Sequence, residues 1–191
     1  MSSTAPPSPR RHRLTVEEYN RMGEAGILRP DERVELIEGE ILDMAPPGSR
    51  HAGTVNQLLG LLQRAVGDRA ILLVQNPISL GSHSEPQPDF ALARPREDYY
   101  KSAHPRATEV LLVIEISDAS LRFERDVKVS LYARHGIPEV WLIDLRGKRL
   151  TRYRNPTEGA YARVDEPDVG APLEVGAVAD VRVDLGPLFA D

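Results

Sequence analysis

Val110-Leu-Leu-Val-Ile-Glu-Ile-Ser117 is a run of aliphatic, largely β-branched residues broken by one carboxylate. Apolar runs of this length read as core strands. An ionised Glu115 inside such a strand costs on the order of several kcal/mol unless a cation compensates it. A break in the local rules at that cost marks a functional site. Upstream, Pro88-Asp89 precedes another short apolar run. Two acids at the ends of adjacent strands, with a lysine nearby, are what a divalent-metal hydrolytic centre requires.

Outward from this strand the chain alternates helical and extended patterns. Thr15-Val-Glu-Glu18 reads as a capping box opening a helix through residue 22. Residues 33–44 form two alternating segments joined at Glu38-Gly39, a hairpin signal. Val55, Leu58, Leu59, Leu62 and Val66 recur at helical spacing over residues 51–66, and Gly67-Asp68 stops them. Residues 71–74, 77–80 and 89–93 are read as extended. Residues 120–135 form the second substantial helix, closed by Gly136 with Pro138 beyond it. Residues 139–144 are a strand carrying the lone Trp141. After Gly147, short strands alternate with Gly/Pro turns as far as residues 181–185. This order predicts an α/β fold with a central mixed β-sheet flanked by helices and a β-rich C-terminal extension.

Composition narrows the class. The 191 residues suit one domain, expected over residues 13–191, behind a loose Ser/Pro-rich tail at residues 1–12. No apolar run is long enough to span a membrane, and the N-terminus lacks the apolar core of a secretory signal. The absence of cysteine removes disulfides and thiolate zinc sites and suits a cytoplasmic protein. A net charge of −5 does not advertise a polyanion partner, so any nucleic-acid contact must come from a local patch. No Gly-x-Ser-x-Gly elbow, phosphate loop or His-Glu-x-x-His signature occurs.

Arg33-Val-Glu-Leu-Ile-Glu-Gly-Glu40, His51 opening a helix, Pro88-Asp89, Glu115-Ile-Ser117, Lys128 with Tyr132, and Gly136-Ile-Pro-Glu-Val-Trp141 follow one another in that order. The ordered set resembles the Uma-type family, a restriction-endonuclease-like branch of the PD-(D/E)XK nuclease superfamily, over most of the chain. The superfamily pattern places Lys two residues after the second acid, where this chain has Ser117. The resemblance implies that the cation comes instead from the following helix. There Lys128 shares a face with Leu121, Glu124, Leu131, Tyr132 and His135, so it is expected to point toward the sheet.

The resemblance implies a metal-dependent endonuclease of DNA, leaving a 5′-phosphate. Asp89, Glu115 and the Ile116 carbonyl would ligate Mg²⁺, with Mn²⁺ as a substitute, and Lys128 would position the nucleophile. Relatives commonly pair, and duplex cleavage favours two active sites, so a homodimer is expected. Glu35 matches a prominent family acid and is either a site group or an exposed strand residue. His51 either contacts substrate or simply starts its helix. Residues 145–155, with Arg146, Lys148, Arg149, Arg152 and Arg154 and no acid, are either a phosphate-tracking hairpin, with Arg149 and Arg152 as substrate contacts, or a solvated basic turn.

More ordinary readings stand beside these. Asp89 can be a turn residue, Glu115 half of a structural ion pair, and Lys128 a snorkelling lysine. Glu124 and Asp126 read as helix-surface acids, and His12, His83, His104 and His135 as solvated. Two readings outside enzymology also stay open. One is a nonenzymatic DNA-binding or scaffold protein that keeps the fold. The other is a regulatory partner in a defence or toxin-like system that acts through its C-terminal β region.

Overall fold

The computed structural model describes residues 10–190; the first nine residues of the expected tail lie outside them. The decisive run forms strand β5 (Val110–Ser117), buried at every position. It occupies the third place in a six-stranded sheet ordered β3-β4-β5-β6-β7-β8. The other strands are β3 (Ile71–Val74), β4 (Phe90–Ala93), β6 (Glu139–Asp144), β7 (Arg149–Thr157) and β8 (Ala160–Asp165). Only β5 and β6 pair in parallel. Parallel neighbours cannot be joined by a tight turn, and a helical crossover links these two.

Strand β5 reads as continuously apolar because helices cover both of its faces. Leu112, Ile114 and Ile116 pack with Val55, Leu58, Leu62 and Val66 of helix α2 (Ser49–Val66). Val113 turns the other way, toward Leu131 and Tyr132. Side chains alternate along a strand, so Glu115 projects to this second face. Each buried leucine of α2 contributes about 1.5–3 kcal/mol by burial, enough to fix the helix on the sheet. At the far end of the β4–β5 ladder the register shifts between Leu92 and Ala93, whose partner is Val110.

The helix expected over residues 120–135 forms in three pieces. Helix α3 (Leu121–Phe123) leads into a π turn (Glu124–Lys128) and then α4 (Val129–Arg134). In the π turn the Val129 N–H donates to the Glu124 carbonyl, one residue further back than in an α-helix. Helix α1 (Val16–Glu24) starts at the Thr15–Glu18 capping box, as read. The hairpin of β1 (Val34–Ile37) and β2 (Glu40–Asp43) stands apart from the main sheet. It is tied back by the Glu85 N–H donating to the Leu36 carbonyl at 2.7 Å and by the Tyr19 hydroxyl donating to Val34.

Two readings are refined. Residues 77–80 form no strand, only a bridge between Ser79 and Arg106, and the Ser79 and Leu80 amides are satisfied by loop carbonyls. The β-rich C-terminal part divides. Strands β7 and β8 complete the main sheet, whereas β9 (Leu173–Glu174) and β10 (Arg182–Val183) pair separately and pack Leu173 and Val183 beneath α2. A final helix, α5 (Gly186–Phe189), was not foreseen, because one short turn carries no periodicity.

The hairpin turn rests on Glu38 (φ 50°) and Gly39 (φ 80°), the pair of positive φ values that matches strand twist in a two-residue loop. A Cβ on Gly39 would meet Arg13 Cβ at 2.6 Å and Arg13 Cα at 2.9 Å. Gly39→Ala is therefore expected to destabilise the protein by about 1–3 kcal/mol in urea unfolding. Gly60→Ala, inside α2 with only the Arg64 guanidinium at 3.4 Å, is expected to stabilise it by about 0.5–1 kcal/mol.

Candidate functional site

The β4–β5 ladder pairs Phe90 with Ile114. One residue further along this antiparallel register, Asp89 stands opposite Glu115, on the same face. Residues so opposed have Cβ atoms about 4.5–5.5 Å apart. Both side chains line one cleft of about 350 Å³, together with Glu35, His51, Glu124 and Lys128. Sequence positions 35 to 128 are gathered there by the hairpin, the α2 N-terminus, the sheet and the π turn.

Asp89 completes the ladder with its side chain. Its Oδ2 accepts the Ile116 N–H at 2.9 Å and lies 3.1 Å from His51 Nε2, while Oδ1 accepts the Gln75 amide at 3.3 Å. An ionised carboxylate only accepts, so His51 Nε2 carries the shared hydrogen. His51 Nδ1 is buried with no hydrogen-bond partner. The bond to Asp89 raises the His51 pKa, against the opposing effect of burial. The backbone of Ile116 thus meets Asp89 through its amide.

Glu115 is 3% exposed. Its Oε1 accepts the Tyr132 hydroxyl at 2.5 Å and pairs with Lys128 Nζ at 2.9 Å. Burial pushes its pKa up to about 7; Lys128 opposes the shift, and Asp89 and Glu35 add to it. Lys128 turns inward as expected and is 2% exposed. Its Nζ lies 3.2 Å from each carboxylate oxygen of Glu35. Burial alone would lower the lysine pKa, but Glu115 and Glu35 overcome it and hold the ammonium well above its ordinary value. Glu35 is a buried acid facing Lys128, which removes the exposed-strand alternative.

Glu124 corrects the sequence reading. It is 7% exposed and lines the cleft rather than the helix surface. Its Oε1 accepts the Ser120 hydroxyl at 2.6 Å, and its Oε2 is buried without a hydrogen-bond partner. Burial raises its pKa, with the Ser120 and Ser117 hydroxyls and Lys128 opposing. The signal for this lay in the helical offset that already puts Glu124 on the inward face of Lys128. Asp126 behaves as read: it is exposed and paired with Arg125 at 2.8 Å. His12, His83 and His104 are exposed and His135 is half-buried.

Arg149 and Arg152 do not line the cleft. The β7–β8 register sets Arg152 opposite Asp165, whose carboxylate pairs with Arg152 at 2.7 Å and Arg154 at 2.8 Å. Arg149 pairs with Asp144 at 3.3 Å and Glu166 at 3.8 Å. Strand pairing, invisible in the basic run itself, supplies these acids. The cations beside the cleft are others. Arg33 lines it, and Arg50 and Arg146 lie 3.8 and 3.3 Å from Asp118, another lining residue.

The raised carboxyl pKa fixes a sign. Glu115 titrates near 4.5 unfolded and about 7 folded, so the folded state binds this proton more tightly. Its contribution to stability is whole below about pH 4.5 and lost as pH rises through about 7. His51, also raised, acts in the same direction above 6.5. In chelator, the melting temperature is expected to fall between about pH 5 and 8, and Glu115→Gln to flatten that fall. A melting temperature that rises over this interval contradicts the assignment.

Comparison with known proteins agrees with this architecture. A crystal structure of a "putative nuclease belonging to DUF820" from Anabaena variabilis ATCC 29413 superposes with a TM-score of 0.69 at 19% identity, covering 92% of this chain and 97% of the other. At that identity the likeness concerns the fold. No curated protein matches the chain. Residues 16–184 match the family Uma2, described as "Putative restriction endonuclease". That match spans most of the sequence, from α1 to β10, and the chain belongs to this restriction-endonuclease-like family.

Proposed function

We propose that the cleft is the centre of a divalent-cation-dependent endonuclease hydrolysing phosphodiester bonds in DNA. The observation that carries this reading is the placement of Asp89 and Glu115 across one ladder and on one cleft, with a buried lysine on Glu115.

The donor set fits a hard cation. Four buried carboxylates, from Glu35, Asp89, Glu115 and Glu124, share the cleft with one buried ammonium, which pairs with Glu35 and Glu115. Glu35 and Glu115 share the one ammonium, while Glu124 Oε2 lacks a hydrogen-bond partner, so acidic groups outnumber cations in the cleft wall. Among the described residues no three His, Cys, Asp or Glu side chains converge as a ligand cage. Mg²⁺ needs none: it keeps several waters and is held by one or two carboxylates. Asp89 and Glu115, with the Ile116 carbonyl, would hold it, and Mn²⁺ would substitute. A bound divalent ion supplies polarisation of the scissile phosphate and a lowered pKa for a nearby water.

The chain's own groups prepare the rest. The Ile116 amide and His51 fix Asp89; Tyr132 and Lys128 fix Glu115. The ammonium of Lys128 stays charged and offsets negative charge as it builds on the phosphate. On this reading Arg33 on the cleft wall, with Arg50 and Arg146 beside Asp118, would take flanking phosphates. Cleavage of both strands of a duplex calls for two such sites, which favours a homodimer. No helix among the described residues is long and apolar enough to cross a membrane; a cysteine-free chain suits the cytoplasm, where this reading places the enzyme.

Incubated with supercoiled plasmid and Mg²⁺ or Mn²⁺, the protein is expected to nick or linearise DNA. Asp89→Asn and Glu115→Gln are each expected to lower the rate by about 100-fold or more with the fold retained by circular dichroism. An inactive wild type on single- and double-stranded DNA, with no heat of Mn²⁺ binding, overturns the enzyme reading in favour of a nonenzymatic nucleic-acid-binding protein.

A further inference from the structure

Hydrolysis of a phosphodiester needs a group to take a proton from the attacking water, and Lys128 is unsuited to that task. Its Nζ lies within 3.2 Å of both Glu35 oxygens and 2.9 Å of Glu115 Oε1. An ammonium so enclosed remains protonated and can only donate. Asp89 has both oxygens occupied, by His51 and Ile116 on one and Gln75 on the other. Glu115 Oε1 already holds two donors, and Glu35 is turned onto the lysine.

Glu124 stands outside the ion pairs that Lys128 makes with Glu35 and Glu115. Ser120 anchors its Oε1, and its Oε2 is buried on the cleft wall with no hydrogen-bond partner. An unpartnered buried carboxylate oxygen is costly and persists where something is to be received. It also sits at the start of the π turn, a departure from α geometry that often accompanies function.

We propose that Glu124 is the general base of this site. The inference rests on the nuclease reading above. Glu124 Oε2 takes one proton from water while the water oxygen bonds to phosphorus. The P–O3′ bond breaks, its electron pair leaves with the 3′ oxygen, and solvent supplies the proton that completes the 3′ hydroxyl. Glu124 then returns its proton to solvent. Burial moves its carboxyl above the ordinary range, the direction that a base working near neutral pH requires. The groups that act on this basicity are Ser120 and Lys128 on its own helical segment, Ser117 at the end of β5, Asp89 ahead of β4 and His51 on α2; Glu35 and Glu115 line the same cleft beyond the lysine.

The test uses the full chain, supercoiled plasmid and Mn²⁺. Glu124→Gln is expected to lower kcat by about 10²–10⁴-fold, with KM and the calorimetric Mn²⁺ affinity held within about 3-fold. In Glu124→Ala, added formate or acetate is expected to restore part of the rate, acetate more than formate because it is the stronger base. Ser120→Ala removes a hydrogen bond that lowers the Glu124 pKa, so the acidic limb of kcat is expected to move to higher pH. Near-wild-type cleavage by Glu124→Gln overturns the proposal alone and leaves the nuclease reading intact. Loss of Mn²⁺ binding in Glu124→Gln overturns it in favour of a ligand role. Failure of both the carboxylate rescue and the Ser120→Ala shift also overturns it. An inactive wild type removes both readings together.

Discussion

One ammonium group organises this protein. Lys128 Nζ lies between the carboxylates of Glu35 and Glu115, all of them out of water. Removing a lysine from water costs several kcal/mol, and only close, well-oriented anions repay it. The three partners come from a hairpin strand, a central sheet strand and the π turn between α3 and α4. Their pairing therefore sets how the β1–β2 hairpin and the crossover helix stand relative to the sheet. Loss of Lys128 would leave both carboxylates buried without their counter-charge.

The same constraint explains why the cleft is electrostatically unsettled. One buried lysine faces four buried acids; burial pushes Glu115 up to about 7, and Asp89 and Glu35 add to the shift that Lys128 opposes. A sheet built for stability alone would place an aliphatic side chain at position 115, between Ile114 and Ile116. The carboxylate is accommodated because the helix covering that face presents Tyr132 and Lys128 to it. Stability is given up at the position where chemistry is concentrated, a common arrangement in enzymes.

Much of this was readable from residue order. Glu115 announced itself as a charge inside an apolar run, and the inward turn of Lys128 followed from its apolar neighbours at helical offsets. Glu38-Gly39 carried its own turn geometry. What failed had a shared cause. Arg149 and Arg152 looked available because their run contains no acid, yet Asp165 and Asp144 reach them from neighbouring strands. Glu124 looked like a surface acid because glutamate in a helix usually is one, while its spacing to Lys128 said otherwise. Charges are neutralised across strands, and that pairing is not a local property of sequence.

Hydrophobic period and turn chemistry are local, so residue order alone set the alternation of elements, the strand that holds Glu115, the helix that holds Lys128 and the family pattern linking them. Which acids share a cleft, which arginines are already paired, and that Asp89 stands opposite Glu115 came from the folded arrangement. Those outcomes depend on strand register and on the cost of buried charge, which are settled when distant segments pack together.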